Sequence, residues 1–395
     1  MSKQVSSTKL KFTILSLSLL TVMAGAAIAP ALSAIQNYFS DVDAFFIRMV
    51  ISLPALFIFI TSFIFPKLTK RFTLKTLVMA SLIIYLACGL LGAICNNIWL
   101  LLILRAGLGI GVGMMMPLST GLLAFYFPPA DQPTLMSLSA AMNNVGGIIA
   151  TFISGLLATI DWHLSFLVYL MGVIAFLFCI VFLPNDMLKS EKPADGNNKQ
   201  DTPSLGKVFK AHYALVIAIF LHMTTFYLYP SNFAMETAAA GIMPLHVIPI
   251  VMALLSCLGF VGGLMYIKVR RVLYTNIRFM SPIMYIIGYI LLGFGNSFIT
   301  SLLGSLVIGY ALGQGMPMIM SEGSARMGKI AAATIMPLLS ASLYLGQFLS
   351  PVMVSGVYAI MGDIPKLPFL WGIVLGAIYL LWNIRLKLIS AQKTK

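Results

Sequence analysis

A chain of 395 residues that is 60% hydrophobic and 9% charged, with a mean hydropathy of +0.98, does not have water as its main solvent, which excludes an ordinary soluble domain. The net charge of +14 would fit a nucleic-acid binder, but the basic residues lie in loops and tails instead of clustering with stacking residues on one surface. The four cysteines, Cys88, Cys95, Cys179 and Cys257, have no CxxC or metal-ligand spacing and read as small apolar core residues.

Apolar runs of about 18 residues or more read as membrane helices, because about 20 residues at a rise of 1.5 Å cross a 30 Å hydrocarbon core. Twelve such spans are expected, near 12–35, 44–65, 77–95, 98–124, 134–158, 164–183, 212–233, 243–267, 277–295, 298–320, 330–357 and 367–386. The first follows Lys9 and Lys11 and runs into AGAAIAPALSA, which imitates a secretory signal. Its length and its counterpart in the second half make it a span that stays in place. The second span opens just after Asp41 and Asp43 and carries Arg48.

The fourth span contains LRAGLGIGVGMMMPLST, with Arg105 and alternating glycines in an apolar run. At about 100° per residue, Arg105, Gly109, Gly113 and Met116 share one face, and Gly107 and Gly111 form a second strip for close helix packing. A charge in the bilayer is costly, so Arg105 is expected to face a bundle interior or a wet cavity, about 9 Å below the outer helix end if Trp99 marks that end. A cluster of Arg48, Arg105 and Asp41 or Asp43 is one arrangement that would hold it.

The fifth span carries a small and polar stripe of Ser139, Asn143, Gly147, Ala150 and Ser154, with Asn144 beside it. The seventh carries His222, Phe226 and Tyr229 with Phe233 on one side, and Glu236 at its end; Gln314 and Gln347 come from the tenth and eleventh. Each polar residue reads equally well as a cavity group or as an interhelical hydrogen bond. All eleven acids lie in the central linker or at span ends, so no carboxylate sits in the middle of a span.

Of the 25 Lys and Arg, 22 fall in the tails and in alternate loops, which by the positive-inside rule makes both termini cytoplasmic. A shift of 200 residues brings Met23 onto Met223, Pro30 onto Pro230, Lys70-Arg71 onto Arg270-Arg271, Gly113 onto Gly313, Met116-Pro117 onto Met316-Pro317 and Gly146 onto Gly346. The chain is thus six spans written twice, an N-terminal half over 1–183 and a C-terminal half over 211–395, joined by a polar cytoplasmic linker over 184–210.

Two six-helix halves in a parallel repeat are a signature of secondary transporters. Four stretches resemble the major facilitator superfamily: PKLTKRFTLKT between spans 2 and 3, with Lys70 where that family has an acid; Arg105 through Gly113; NNVGGIIATFISG in span 5, without the antiporter proline; and DWHLSF at the start of span 6, with His163 in place of an arginine. The resemblance implies an all-α membrane protein with the major-facilitator fold of 12 transmembrane helices, closest in pattern to bacterial drug or sugar efflux permeases of the cytoplasmic membrane. It implies efflux of small amphipathic or apolar compounds by alternating access and proton antiport. It also implies a monomer with a small-molecule substrate, protons as the coupling ion and lipids around it, without cofactor, metal or nucleic acid.

The residues expected to bind substrate or couple transport are Arg105, Arg48, Asp41, Asp43, Asn143, Asn144, Met116, His222, Phe226, Tyr229, Glu236, Gln314 and Gln347. Met116 and its neighbours Met114 and Met115 would suit varied apolar ligands. The alternative is an importer or facilitator of a small organic anion, its carboxylate held by Arg48 and Arg105. A membrane protein that kept the fold without transporting is a third possibility. No HExxH, GxSxG or P-loop motif points to an enzyme.

Overall fold

The computed structural model describes residues 7–128, 130–186, 205–325 and 329–392, and these residues form helices and turns without a strand. Most of the expected linker, 187–204, lies outside them. In the first part of the chain α1 runs over Ser7–Ala26, α2 over Leu32–Tyr38, α3 over Ala44–Leu68, α4 over Leu74–Leu90, α5 over Ile98–Tyr126, α6 over Gln132–Ala158 and α7 over Met171–Phe182. In the second part α8 covers Leu205–Ala239, α9 Ile248–Leu273, α10 Met280–Phe294, α11 Phe298–Ala325, α12 Lys329–Met361 and α13 Leu367–Gln392.

Among the described residues, eleven helical segments are long and apolar enough to cross a membrane. The two spans expected at 243–267 and 277–295 fall within one of these, Ile248–Phe294, where α9 passes through a 3₁₀ stretch, Tyr274–Phe279, into α10. Local chemistry sets several ends. Asn97 begins α5 by accepting hydrogen bonds from the Trp99 and Leu100 amides, and Thr73 begins α4 by accepting from the Thr76 amide. Gly241 and Gly362, both with positive φ, follow the ends of α8 and α12, a conformation open to glycine at little steric cost.

The chain forms two compact units. Unit 1 is Met1–Ala34 with Leu53–Asp201, and unit 2 is Ile35–Ser52 with Thr202–Lys395, so most of α2 and the first turns of α3 group with the second half of the sequence. Within unit 1, α1 packs on α6 and α4 on α5; within unit 2, α8 packs on α12, α9 on α11, and α10 on both α11 and α13.

The 200-residue repeat reappears in the way backbones touch. A Cβ on Gly109 or Gly113 would strike α3, at Pro54 and Phe57 or at Ile58 and Thr61. A Cβ on Gly309 or Gly313 would strike α9, at Leu255 or Gly259. Likewise Gly146 lies against the Leu19 carbonyl of α1 and Gly346 against the Phe220 carbonyl of α8. These glycines are close-approach points, which is why they survive in register.

Candidate functional site

Among the described residues three guanidinium groups are buried, that of Arg105 in unit 1 and those of Arg48 and Arg278 in unit 2. In unit 1, Arg105 projects from α5 and is 2% exposed. Gly107 and Gly111 on α5 press against Cys88 and the Ser81 carbonyl of α4, which draws α4 and its Tyr85 alongside. The Arg105 Nη1 donates to the Tyr169 hydroxyl at 2.7 Å, and Tyr169 in turn donates to the Ala24 carbonyl of α1 at 3.2 Å. The guanidinium carbon lies 4.6 Å from the Phe166 ring centre and 5.5 Å from that of Tyr169, and Tyr85 packs edge-on against Tyr169. Cation–π contact offsets part of the cost of burying the charge. Arg105 Nε and Nη2 have no hydrogen-bond partner among the described residues.

Of the bundle interior or wet cavity expected around Arg105, unit 1 presents packed aromatic rings, Phe166 and Tyr169, from the 3₁₀ stretch Trp162–Leu170. Within unit 2, Arg48 makes no ion pair with Asp41 or Asp43 among the described residues. Among the described residues neither Arg105 nor Arg48 makes an ion pair, and the ion pairs there are His163 with Asp161 and Arg278 with Glu322. Asp41 and Asp43 are exposed, and Asp43 accepts from the Phe45 amide at 2.7 Å at the start of α3.

In unit 2, Arg48 is 5% exposed and its Nε donates to Asn232 Oδ1 at 2.7 Å, with the guanidinium 5.1 Å from the Tyr358 ring. Asn232 is fixed for this role because its amide nitrogen donates to the Leu228 carbonyl one turn back. Glu236, one turn further along α8, accepts from the Tyr358 hydroxyl and from the Lys366 amide, each at 3.0 Å. Lys366 has a φ of 59°, uncommon outside glycine, and its Nζ donates to the Gly295 carbonyl and to Asn296 Oδ1. Burial pulls the Lys366 amine below its ordinary value, and the nearby Glu236 carboxylate opposes this. The result is a chain of polar groups, Asn232, Arg48, Tyr358, Glu236 and Lys366, tying α3, α8, α12 and the start of α13 together at one end of the unit.

The other expected residues fall mostly into interhelical bonds. Asn143 accepts from Thr21 at 2.9 Å, Ser139 bonds Ser18 at 2.7 Å and Ser154 bonds the Ala27 carbonyl, so the stripe of α6 stitches it to α1. Asn144 is exposed and donates to the Ala140 carbonyl of its own helix. His222 is fully buried, 3.3 Å from the Ser281 hydroxyl and among the Tyr285 and Tyr379 rings. Tyr229 donates to Ser305 at 2.8 Å and stacks on Phe233. Gln314 donates to the Gly262 carbonyl at 2.8 Å, Gln347 is buried, and Phe226 and Met116 are half-buried.

Sequence reasoning missed Tyr169, Phe166, Asn232, Tyr358 and Lys366. Asn232 was within reach, since it lies one helical turn before Glu236. Phe166 ends the DWHLSF stretch that resembles the family, whereas Tyr169 and Tyr358 carry no sequence mark that separates them from ordinary packing.

The fold of a bacterial homologue of the human lysosomal transporter Spinster, solved inward-facing and unoccupied, matches this chain with a TM-score of 0.78 at 14% identity, covering 96% of this chain and 97% of that one. A mutant of the nucleoside transporter NupG matches with a TM-score of 0.77 at 13% identity over 95% and 99%. A POT family transporter, solved in complex with a thioalcohol-conjugated peptide, matches with a TM-score of 0.70 at 12% identity over 98% and 96%. No curated protein matches the sequence at a significant level. The Major Facilitator Superfamily itself matches residues 14–351, and with that match over most of its length this integral membrane protein belongs to the superfamily, as a transporter.

Proposed function

We propose that the protein is a proton-coupled secondary transporter of a bacterial cytoplasmic membrane that exports small amphipathic or apolar compounds. In this reading Ile248–Phe294 counts as two spans, giving twelve, both termini are cytoplasmic, and the halves 1–183 and 211–395 alternate access about the linker 184–210.

The observation that carries proton coupling is the surroundings of Glu236. It is a half-buried carboxylate within the apolar span His212–Ala239, and its two acceptor bonds come from Tyr358 and Lys366 on other elements of unit 2. A carboxylate inside a membrane span is the usual proton carrier. Because Tyr358 belongs to α12 and Glu236 to α8, a change at this carboxylate reaches the packing of α8 on α12. An apolar or amphipathic cargo is supported by a groove of about 600 Å³ in unit 1, walled by Phe12, Leu138, Met142, Ile174 and Phe178 with Lys9 at one end.

A second reading, uptake or facilitated passage of a small organic anion, is favoured by one observation. Arg105 keeps two guanidinium nitrogens without an acceptor among the described residues, and a carboxylate offers two oxygens to such a pair. The experiment is uptake into inverted vesicles of dye-like cations and small carboxylates, with and without an imposed pH gradient, for the wild type, Glu236→Gln and Arg105→Ala. Gradient-driven dye accumulation lost in Glu236→Gln supports proton-coupled export. Carboxylate flux independent of Glu236 and lost in Arg105→Ala replaces it with the anion reading.

A further inference from the structure

A polar pocket of about 290 Å³ lies in unit 2, and its walls share no residue with the chain of polar groups around Arg48. It sits where α9 ends and the stretch Tyr274–Phe279 turns into α10, against the last turns of α11. Its polar walls are Tyr266, Arg270, Tyr274, Thr275, Arg278 and Glu322. Arg278 is 7% exposed, and its Nη2 holds Glu322 Oε1 at 2.7 Å. Its Nε and Nη1 have no hydrogen-bond partner among the described residues.

The pocket is rich in donors and short of acceptors. Its one carboxylate is engaged by Arg278, while Arg270 stands exposed on the last turn of α9. The Tyr266 hydroxyl is bonded to Ser321 at 2.9 Å, which leaves the hydroxyls of Tyr274 and Thr275 as further wall groups. Tyr274 has a φ of 48°, so the turn that brings these groups into the wall is held in a conformation uncommon for a residue with a side chain. Two arginines against one carboxylate leave the walls one positive charge in excess, with Lys268 and Arg271 close by in sequence.

We propose that this pocket binds a phosphate group, with Arg278 as the buried anchor and Arg270 closing over it. A carboxylate has two oxygens, which one guanidinium fork can satisfy alone. A phosphate has enough oxygens to take Arg278, Arg270 and a wall hydroxyl together, and guanidinium groups match its geometry. The same chemistry is offered by inorganic phosphate and by the headgroup of an anionic lipid.

The test is the melting temperature of the full-length protein in detergent, titrated with inorganic phosphate or acetate at constant ionic strength. Phosphate is expected to raise the melting temperature saturably and acetate to leave it unchanged, since a ligand of the folded state alone stabilises by mass action. Arg270→Ala, an exposed change that leaves the Arg278–Glu322 pair intact, is expected to weaken half-saturation about tenfold or more. Arg278→Lys keeps a charge for Glu322 but loses the fork, and is expected to do the same.

Nanodiscs separate the sources. If discs of phosphatidic acid raise the melting temperature above that in phosphatidylcholine and abolish the response to phosphate, the ligand is a lipid headgroup. If phosphate still acts in both, it is the free anion. No saturable shift in any setting, an equal effect of acetate, or an unchanged response in Arg270→Ala overturns the proposal.

Discussion

Tyr169→Phe tests how unit 1 tolerates its buried charge. The substitution keeps the ring against Arg105 and Tyr85 and removes one oxygen, which accepts from Arg105 at 2.7 Å and donates to the Ala24 carbonyl at 3.2 Å. After it, no guanidinium nitrogen of Arg105 retains the partner it has now, because Nε and Nη2 have none among the described residues. A hydrogen bond to a charged group is worth about 1.5–3 kcal/mol, and a neutral interhelical bond in a membrane averages about 0.6 kcal/mol. The sum predicts a loss of about 2–3.5 kcal/mol on these two principles.

Arg105→Met should cost much less, or even stabilise, because it removes the buried charge while leaving the Tyr169 bond to Ala24 in place. The double variant should then resemble Arg105→Met with one weak bond lost, giving a coupling energy of about 1.5–3 kcal/mol. The assay is reversible unfolding of the purified chain in mixed micelles for the four members of the cycle. A coupling below about 0.5 kcal/mol, the level of an ordinary membrane hydrogen bond, would show that the guanidinium does not depend on Tyr169 and would refute the reasoning.

Gly146→Ala and Gly313→Ala, each placing a Cβ inside the backbone of a neighbouring helix, should destabilise by about 1–3 kcal/mol or more, whereas Gly121→Ala, whose Cβ meets nothing within 4 Å, should be neutral or stabilising in the same unfolding assay. Glu236→Gln keeps one acceptor oxygen where Tyr358 and Lys366 each use their own, so it should cost about 1 kcal/mol of stability while abolishing the response of transport to a pH gradient, read in inverted vesicles. The amide and ring of His163 hold the Asp161 carboxyl below its ordinary value of 3.8, so its contribution to stability is present above that pH and is lost as pH falls through the depressed value. Melting curves from pH 6 to 2.5 should therefore show a smaller acid loss in Asp161→Asn than in the wild type.

What the sequence revealed well were features that depend on backbone contact. The pairs Gly113 and Gly313, and Gly146 and Gly346, kept their register because a helix crossing at van der Waals distance accepts no Cβ. Composition located the spans for a similar reason, since hydrocarbon solvent acts on every residue of a helix alike. Polar residues behaved differently. A periodicity gives the direction of a side chain such as Asn143 or Gln314 and leaves its partner open, and Thr21 and the Gly262 carbonyl are ordinary groups that nothing in the sequence singles out. The grouping of 35–52 with the second half was hidden as well, because an apolar helix such as α3 carries no mark at the point where its neighbours change.

The internal repeat says something about Arg105 that neither its periodicity nor its partners say alone. Shifted by 200 residues, Tyr85 falls on Tyr285, Gly109 and Gly113 of α5 fall on Gly309 and Gly313 of α11, and Arg105 falls on Ser305. Ser305 accepts a hydrogen bond from Tyr229 at 2.8 Å and is fully buried, so the same place in the other half is closed by two neutral hydroxyls. The architecture of a six-helix half is therefore satisfied at this position without a charge. An arginine there costs burial energy that serine does not, and in unit 1 aromatic faces and one tyrosine oxygen offset only part of it. Packing alone does not account for keeping that residue. Under the anion reading proposed above, a substrate carboxylate at Nε and Nη2 would offset the remaining cost, which would set position 105 apart from position 305.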